Sequence, residues 1–252
     1  DAGDNCIILY GGANRRVTPE LVRRALAFYG PGDMVVLQNE VNLADEVIDQ
    51  AADRGMQVAL NPSPFDASIM DLPLDKVDYL LVNEIEAMQL LKALGAASVG
   101  GADIEAGEAA ATTGADATAG DWAAVARALG VRFRSTCIVM TLGAQGAYLI
   151  DGAACTRVPA CPCKAVDTTA AGDTFTGYFL TGIALGDSAL AAMATAARAA
   201  SIAVSRPGAA ASIPSADEVV TADEVLAADG AGAADEGVAD SSVVDGAAER
   251  LV

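Results

Sequence analysis

The chain has 252 residues, 53% of them hydrophobic, no histidine and a formal net charge of −19. Its length supports an α/β domain with a substantial core, and its acidity excludes the clustered Lys and Arg that nucleic-acid binding requires. No stretch of about 20 uncharged apolar residues exists to span a bilayer: the longest Ala-rich run, Ala189–Val204, is interrupted by Arg198.

Short β-branched runs alternate with longer helical patterns along the chain, the order expected of a mostly parallel sheet flanked by helices on both faces. A strand is predicted at Cys6–Tyr10. Thr18-Pro19-Glu20 then supplies an N-cap, a proline at the first helical position and an acid in the first turn, so a helix should run to about Tyr29. Strands follow at Met34–Gln38, Gln57–Leu60 and Tyr79–Val82, with helices at Val41–Arg54 and Glu84–Leu94. After them come a helix at Asp121–Leu129, strands at Cys137–Thr141 and Ala147–Ile150, and helices at Thr174–Leu185 and Ser188–Val204.

Two segments stand apart. Ala96–Gly120 carries four acids and no base and is rich in alanine, so it is expected to be a mobile surface insertion without chemistry of its own. Residues 215–252 carry ten acids and one Arg, with no aromatic residue, and read as a largely disordered acidic tail with at most one short helix around Ser215–Ala227. The folded domain is therefore expected over residues 1–214. The five cysteines, at 6, 137, 155, 161 and 163, are an odd number without histidine partners, and reduced structural thiols are expected. The acidic start of the chain has no basic, signal-like region, and a cytoplasmic location is expected.

The strongest chemical signal is Val166-Asp167-Thr168-Thr169-Ala170-Ala171-Gly172-Asp173-Thr174-Phe175. Three very small residues precede an acid and the start of an apolar-periodic helix. A helix start without side-chain bulk leaves N–H groups free to face an anion, and the helix dipole favours negative charge there. An ordinary N-capping Asp after a small-residue turn is the alternative reading.

This string resembles the Asp-Thr-x-Gly/Ala-Ala-Gly-Asp signature of the ribokinase-like (PfkB) carbohydrate kinases. Further segments match in the family's order: Asn61-Pro62-Ser63-Pro64, Asn83-Glu84-Ile85-Glu86, Thr141-Leu142-Gly143-Ala144-Gln145-Gly146, and Arg206-Pro207-Gly208-Ala209 with Ser212-Ile213-Pro214. Gly11-Gly12-Ala13-Asn14 and Gln38-Asn39-Glu40 are most similar to the ribose-phosphorylating branch. The resemblance implies ATP-dependent phosphorylation of a sugar's primary hydroxyl, D-ribose to ribose 5-phosphate being the leading case.

Within that resemblance, Asp173 is the general base, and the Ala170, Ala171 and Gly172 amides form the anion hole. Asn83, Thr141, Leu142, Gly143, Ala144, Gln145, Gly146, Gly172 and Ala197 fall at nucleotide-binding positions, and Glu40 joins Asp173 at the sugar. Asn83 and Glu86 lie one helical turn apart, so an amide and an acid can reach one hydrated Mg²⁺ between phosphates. A capping Asn with an exposed Glu behind it is the plainer alternative, as an ordinary hairpin turn is for Thr141–Gly146, a turn-forming acid for Asp167 and a solvent-exposed acid for Glu40. Asp167, Thr169, Ala203, Arg206, Gly208 and Ser212 are implied to surround a potassium-type monovalent cation.

The family's preceding Gly-Gly sugar-binding and lid segment has no counterpart here, so the chain is expected to be the C-terminal two thirds of such a kinase, weakly active or inactive by itself. A homodimer is implied for the full-length form. Kinases of the same family acting on fructose, a keto-deoxy sugar acid or a nucleoside stay open. So does a non-catalytic nucleotide- or sugar-binding remnant, against which the intact Asp173 weighs.

Overall fold

Runs of Val, Leu, Ile and Met bounded by polar residues form the strands of a central sheet. The computed structural model describes residues 10–96, 98–99, 102–103 and 121–220. The strands are β1 (Met34–Gln38), β2 (Gln57–Asn61), β3 (Tyr79–Asn83), β4 (Ser98–Val99), β5 (Ala102–Asp103), β6 (Cys137–Thr141), β7 (Ala147–Asp151) and β8 (Ala154–Val158). The helices are α1 (Pro19–Leu26), α2 (Ala44–Asp53), α3 (Glu84–Ala93), α4 (Trp122–Arg132), α5 (Ala171–Ala184) and α6 (Ala189–Val204).

The main sheet has the order β1-β2-β3-β6-β7-β8. The first four strands are parallel neighbours, and β7 and β8 extend the sheet antiparallel. Strands β2, β3 and β6 are buried along their middle residues, which is why their sequences are continuous apolar runs rather than alternations, whereas Val36 of β1 is exposed. The two faces still separate by register. Val58, Leu60, Leu80, Val82, Ile138, Met140 and Ile150 join the core on one side, whereas Ala59, Leu81 and Val139 join Phe175, Phe179, Met193 and Ala196 on the other.

Helix α1 begins as its sequence dictates: the Thr18 hydroxyl accepts from the Leu21 N–H at 3.2 Å, Pro19 opens the helix, and Val22 and Leu26, four apart, are buried. On the opposite face α5 and α6 pack against one another. Helix α6 offers Ala192, Ala196, Ala199 and Ala203, all fully buried, so its backbone lies close to its neighbours. The Tyr79 and Phe179 rings meet edge to face, 6.1 Å between centroids and 73° between planes. Removing a fully buried ring such as Phe179 would cost about 3–5 kcal/mol.

Several elements differ from expectation. The strand predicted over Cys6–Tyr10 lies outside the described residues, apart from Tyr10, which is exposed and in no strand. Helix α5 starts at Ala171, three residues earlier than predicted, because the left-handed Ala170 turns the chain directly into the helix. Strand β8 was not legible: its burial pattern has no apolar alternation, and it is held by its ladder to β7. Within the segment expected to be a mobile surface insertion, Ser98–Val99 and Ala102–Asp103 form the antiparallel β4–β5 pair, and residues 97, 100–101 and 104–120 lie outside the described residues.

The chain divides into two compact units, Asp1–Ile213 and Pro214–Val252. In the second, residues 216–220 are helical and the Glu218 carboxylate accepts from the Ser215 backbone N–H at 2.8 Å. The remainder of the expected acidic tail, residues 221–252, lies outside the described residues. Among the described cysteines, Cys137, Cys155 and Cys163 are free thiols. Burial, with the nearby Asp151 charge, pushes the Cys137 thiol up to about 11. Among the described residues no helix is long and apolar enough to cross a membrane.

Candidate active site

Each of the four parallel strands ends on a polar residue: Gln38, Asn61, Asn83 and Thr141. Gln38 is the register partner of Asn61, and Asn83 that of Thr141, so the carboxyl edge of the sheet carries a polar row. In open α/β sheets ligands bind beyond this edge. The N-terminus of α5 comes to the same edge, where Asp173 Oδ1 accepts a hydrogen bond from the Gln38 amide at 3.4 Å. Asp173 also stands at the rim of an open groove of about 440 Å³ along β1 and α5, lined by Met34, Val36, Thr176 and Leu180 among others.

The turn before α5 is braced at one end and bare at the other. Asp167 Oδ1 accepts from the Thr169 N–H and Oδ2 from the Gly208 N–H, both at 2.9 Å. Hydrogen bonds from the Thr169 side chain, the Thr169 N–H and the Gly208 N–H hold the Asp167 carboxyl below its ordinary value. Gly208 has φ 93°, a conformation that disfavours any side chain, so the brace depends on glycine there. The Val166 and Asp167 N–H groups both donate to the Val204 carbonyl at the end of α6, at 2.8 and 3.2 Å. This ties the turn to the Ala203–Ser212 region.

At the other end, Ala170 sits at φ 61° and ψ 12° and offers no side-chain cap. Of the amides expected to face an anion, that of Ala171 donates to the Thr168 carbonyl at 3.2 Å. The first turn leaves the Gly172 and Asp173 N–H groups without an acceptor within the helix, and both residues are exposed. Apart from its chain neighbours and the backbone of α5 itself, no heavy atom lies within 4 Å of where a Gly172 Cβ would stand.

Asn83 and Glu86 form a reciprocal capping box on α3. The Glu86 N–H donates to Asn83 Oδ1 at 2.8 Å and the Asn83 N–H to Glu86 Oε2 at 3.0 Å. The plain alternative from sequence, a cap followed by an exposed Glu, is half right: the cap is present and Glu86 is only 6% exposed. Burial raises its carboxyl above the ordinary value, and the neighbouring Glu84 charge adds to this, against hydrogen bonds from the Asn83 N–H and the Ser63 side chain. Burial raises the Glu84 carboxyl as well.

Thr141–Gly146 joins the antiparallel strands β6 and β7, so it is a hairpin connection, and it opens on the polar row. Gly143, Ala144 and Gln145 are exposed, whereas Leu142 is buried and serves the core. A Cβ at Gly146 would stand 2.2 Å from the Val158 carbonyl oxygen, so only glycine lets β8 pass this close. The Arg157 guanidinium donates to the Gln145 carbonyl at 3.0 Å.

The remaining expected residues are placed as follows. Glu40 is exposed just past β1. Ala197 is partly buried on α6, against the core of α5. The Ala203 carbonyl already accepts from the Ser205 and Arg206 N–H groups at the end of α6. Ser212 is fully buried and its hydroxyl donates to the Ala209 carbonyl at 2.7 Å. Sequence reasoning did not assign roles to Gln38, Asn61 or Asn39. The Asn39 side-chain amide donates to the Pro64 carbonyl at 2.8 Å and to Asp66 at 3.1 Å, which fixes the cis Ser63–Pro64 turn beside the strand ends. The signal available for them was the polar residue closing each apolar run.

Comparison with known proteins agrees with this geometry. Residues 1–216 match the model of the pfkB family of carbohydrate kinases. The chain is 36% identical over 223 residues to the ribokinase of Schizosaccharomyces pombe, a match that covers 87% of this chain and 64% of that protein. Among solved structures it is similar to a Cryptococcus neoformans ribokinase in complex with ADP, with TM-score 0.69, 29% identity, and 87% of this chain and 68% of that one covered. It is also similar to an Arabidopsis thaliana ribokinase complexed with ribose and ATP, with TM-score 0.63, 26% identity, and 87% and 65% covered. The chain thus spans 64% of the length of the curated yeast relative. With a family match over most of its length and the signature turn set at the carboxyl edge of the sheet, the chain belongs to the pfkB family of carbohydrate kinases.

Proposed function

We propose that this chain carries the ATP-binding and catalytic part of a sugar kinase that transfers the γ-phosphoryl group of ATP to the primary hydroxyl of D-ribose, giving ribose 5-phosphate and ADP. One observation carries the reading: an exposed carboxylate, Asp173, stands in the first turn of an uncapped helix at the carboxyl edge of the sheet. The two relatives solved with ADP and with ribose and ATP support the choice of ligands.

In this reading Asp173 accepts the proton of the sugar hydroxyl as its oxygen attacks the γ-phosphorus. The bond to the ADP oxygen breaks as the new one forms. The Gly172 and Asp173 amides and the α5 dipole stabilise the charge on the transferred group. The exposed Gly143–Gln145 turn lies under the nucleotide, and Glu40 reaches the sugar from the end of β1.

Magnesium and potassium fit the residues present to different degrees. Glu86 is a buried carboxylate beside Glu84, a pair whose charge favours a nearby cation. Its Oε2 is committed to the capping box, so it would hold magnesium through water rather than directly. Magnesium supplies charge neutralisation between the phosphates. Among the described residues no group of three or more Cys, Asp or Glu is placed to hold a metal by itself. For potassium, Asp167, held by the Gly208 N–H beside the anion turn, would stand on one side of the proposed site. Thr169 and Ser212 fit that site, and the Ala203 carbonyl, already accepting two N–H groups, fits least.

The direct test is phosphate transfer from γ-labelled ATP to ribose, compared with fructose, a keto-deoxy sugar acid and a nucleoside, with and without potassium. Ribose is expected to give the highest kcat/KM. Preferential transfer to a nucleoside would overturn the substrate assignment, and a chain that binds no ATP would overturn the kinase reading.

A further inference from the structure

Gln38, the last residue of β1, donates from one side-chain nitrogen to two oxygens: Asn61 Oδ1 at 3.2 Å and Asp173 Oδ1 at 3.4 Å. Its orientation follows from its neighbours. Asn61 donates from Nδ2 to the Leu81 carbonyl at 2.8 Å, and a backbone carbonyl can only accept, so the Asn61 amide has one consistent placement. Its Oδ1 must then face Gln38, and what Gln38 turns towards it must be the NH₂ group. That group carries two hydrogens, and the second is free to reach Asp173. The Asp173 carboxylate is thereby connected through β1 and β2 to the backbone of β3, three adjacent strands of the parallel sheet.

The consequence concerns aim. Asp173 is exposed, on a helix whose first turn has no side-chain cap, and an exposed Asp otherwise samples several rotamers. A base that must meet a hydroxyl proton in one geometry loses rate when its aim is loose. We infer that Gln38 is a positioning residue for the phosphoryl-transfer reaction: its amide, oriented by Asn61, holds the Asp173 carboxylate towards the carboxyl edge of the sheet. This inference rests on the proposed role of Asp173.

Two measurements test it. In the first, the side-chain amide resonances of Gln38 are followed by NMR in this chain. They are expected to shift in Asp173→Asn, which removes the charge, and to stay in place in Asp187→Asn, beyond the far end of α5. Unchanged resonances in Asp173→Asn would show that the contact does not exist in solution and would overturn the inference.

In the second, turnover is measured with ribose and ATP. Gln38→Leu, similar in size and without the donor, is expected to lower kcat roughly 10-fold while leaving the KM for ATP within about twofold. In the Asp173→Asn background the same substitution should have no further effect. An equal loss in both backgrounds would mean that Gln38 acts on something other than Asp173. Wild-type kcat in Gln38→Leu would likewise defeat the inference, provided that Asp173→Asn is itself impaired. Full turnover in Asp173→Asn would instead defeat the proposed catalytic role, a failure the NMR result distinguishes.

Discussion

Helices α3 and α5 begin at the same edge of the same sheet, yet their first turns are built in opposite ways. At α3, Asn83 and Glu86 satisfy each other's backbone N–H groups and the end is closed. At α5, a left-handed alanine replaces the cap, and the free N–H groups face outward. Capping a helix end is worth about 1 kcal/mol of stability. Leaving one open forgoes that stability and keeps donors and dipole available to an anion. One helix start thus serves the fold, and the other is free to serve a ligand.

The largest effect expected from this contrast is catalytic. Asp173→Asn should lower turnover by a factor of about 100 or more while ATP binding, followed by calorimetry, stays near wild type. Wild-type turnover in that variant would reduce the open end of α5 to a structural accident. Next comes the brace behind it. Potassium should raise the rate of the unmodified protein, and Asp167→Ala should remove that response; equal rates with and without potassium would show that no ion acts there.

The closed end should respond in stability. Asn83→Ala is expected to cost about 1 kcal/mol, or roughly 2–4 °C in melting temperature for a domain of this size. Ala170→Gly should move the other way by a similar or smaller amount, since glycine adopts the left-handed region without the penalty alanine carries there. If both variants melted like the original, the difference between the two helix starts would have no energetic content.

Glu86 gives the smallest effect and a pH signature. Burial raises its carboxyl in the folded protein, so between the unfolded and folded values the folded state binds more protons. The charged form therefore weakens the fold above that window, and the penalty is absent below it. Glu86→Gln retains the capping-box geometry, so it should raise the melting temperature slightly at pH 7. The gain should fade as pH falls from the raised folded value towards the ordinary carboxylate range, and be absent below it. A gain that did not change with pH would point to packing rather than charge.

Much of this arrangement was readable from the residues themselves. Apolar runs closed by Gln38 and Thr141 marked two strands at their right ends, β3 runs one residue past its expected end to Asn83, and Thr18-Pro19 marked the start of α1. The turn at Asp167–Asp173 stood out through its resemblance to the family signature, since small residues before an acid by themselves fit an ordinary N-cap equally well. What was hidden depended on contacts distant in sequence. Strand β8 exists because β7 pairs with it, and Gln38 meets Asp173 across 135 positions of chain. The use of the Ala171 N–H by Thr168 depends on the left-handed geometry of Ala170, to which composition gives no clue. The burial of Glu86 arises in the same way, from packing that the helical spacing of Asn83 and Glu86 does not specify.

The row of buried alanines on α6 has a consequence for how this protein can vary. Since Ala192 and Ala196 present only methyl groups to the core shared with α5, the seating of α5 has little slack at those positions, and Met193 between them is the flexible side chain of that contact. A single added methyl there would act as a wedge under the helix that carries Asp173. Sequence drift on α6 is thus restricted at positions that never touch a substrate, and the tolerance of the reaction to mutation is set in part by the smallest side chains in the molecule.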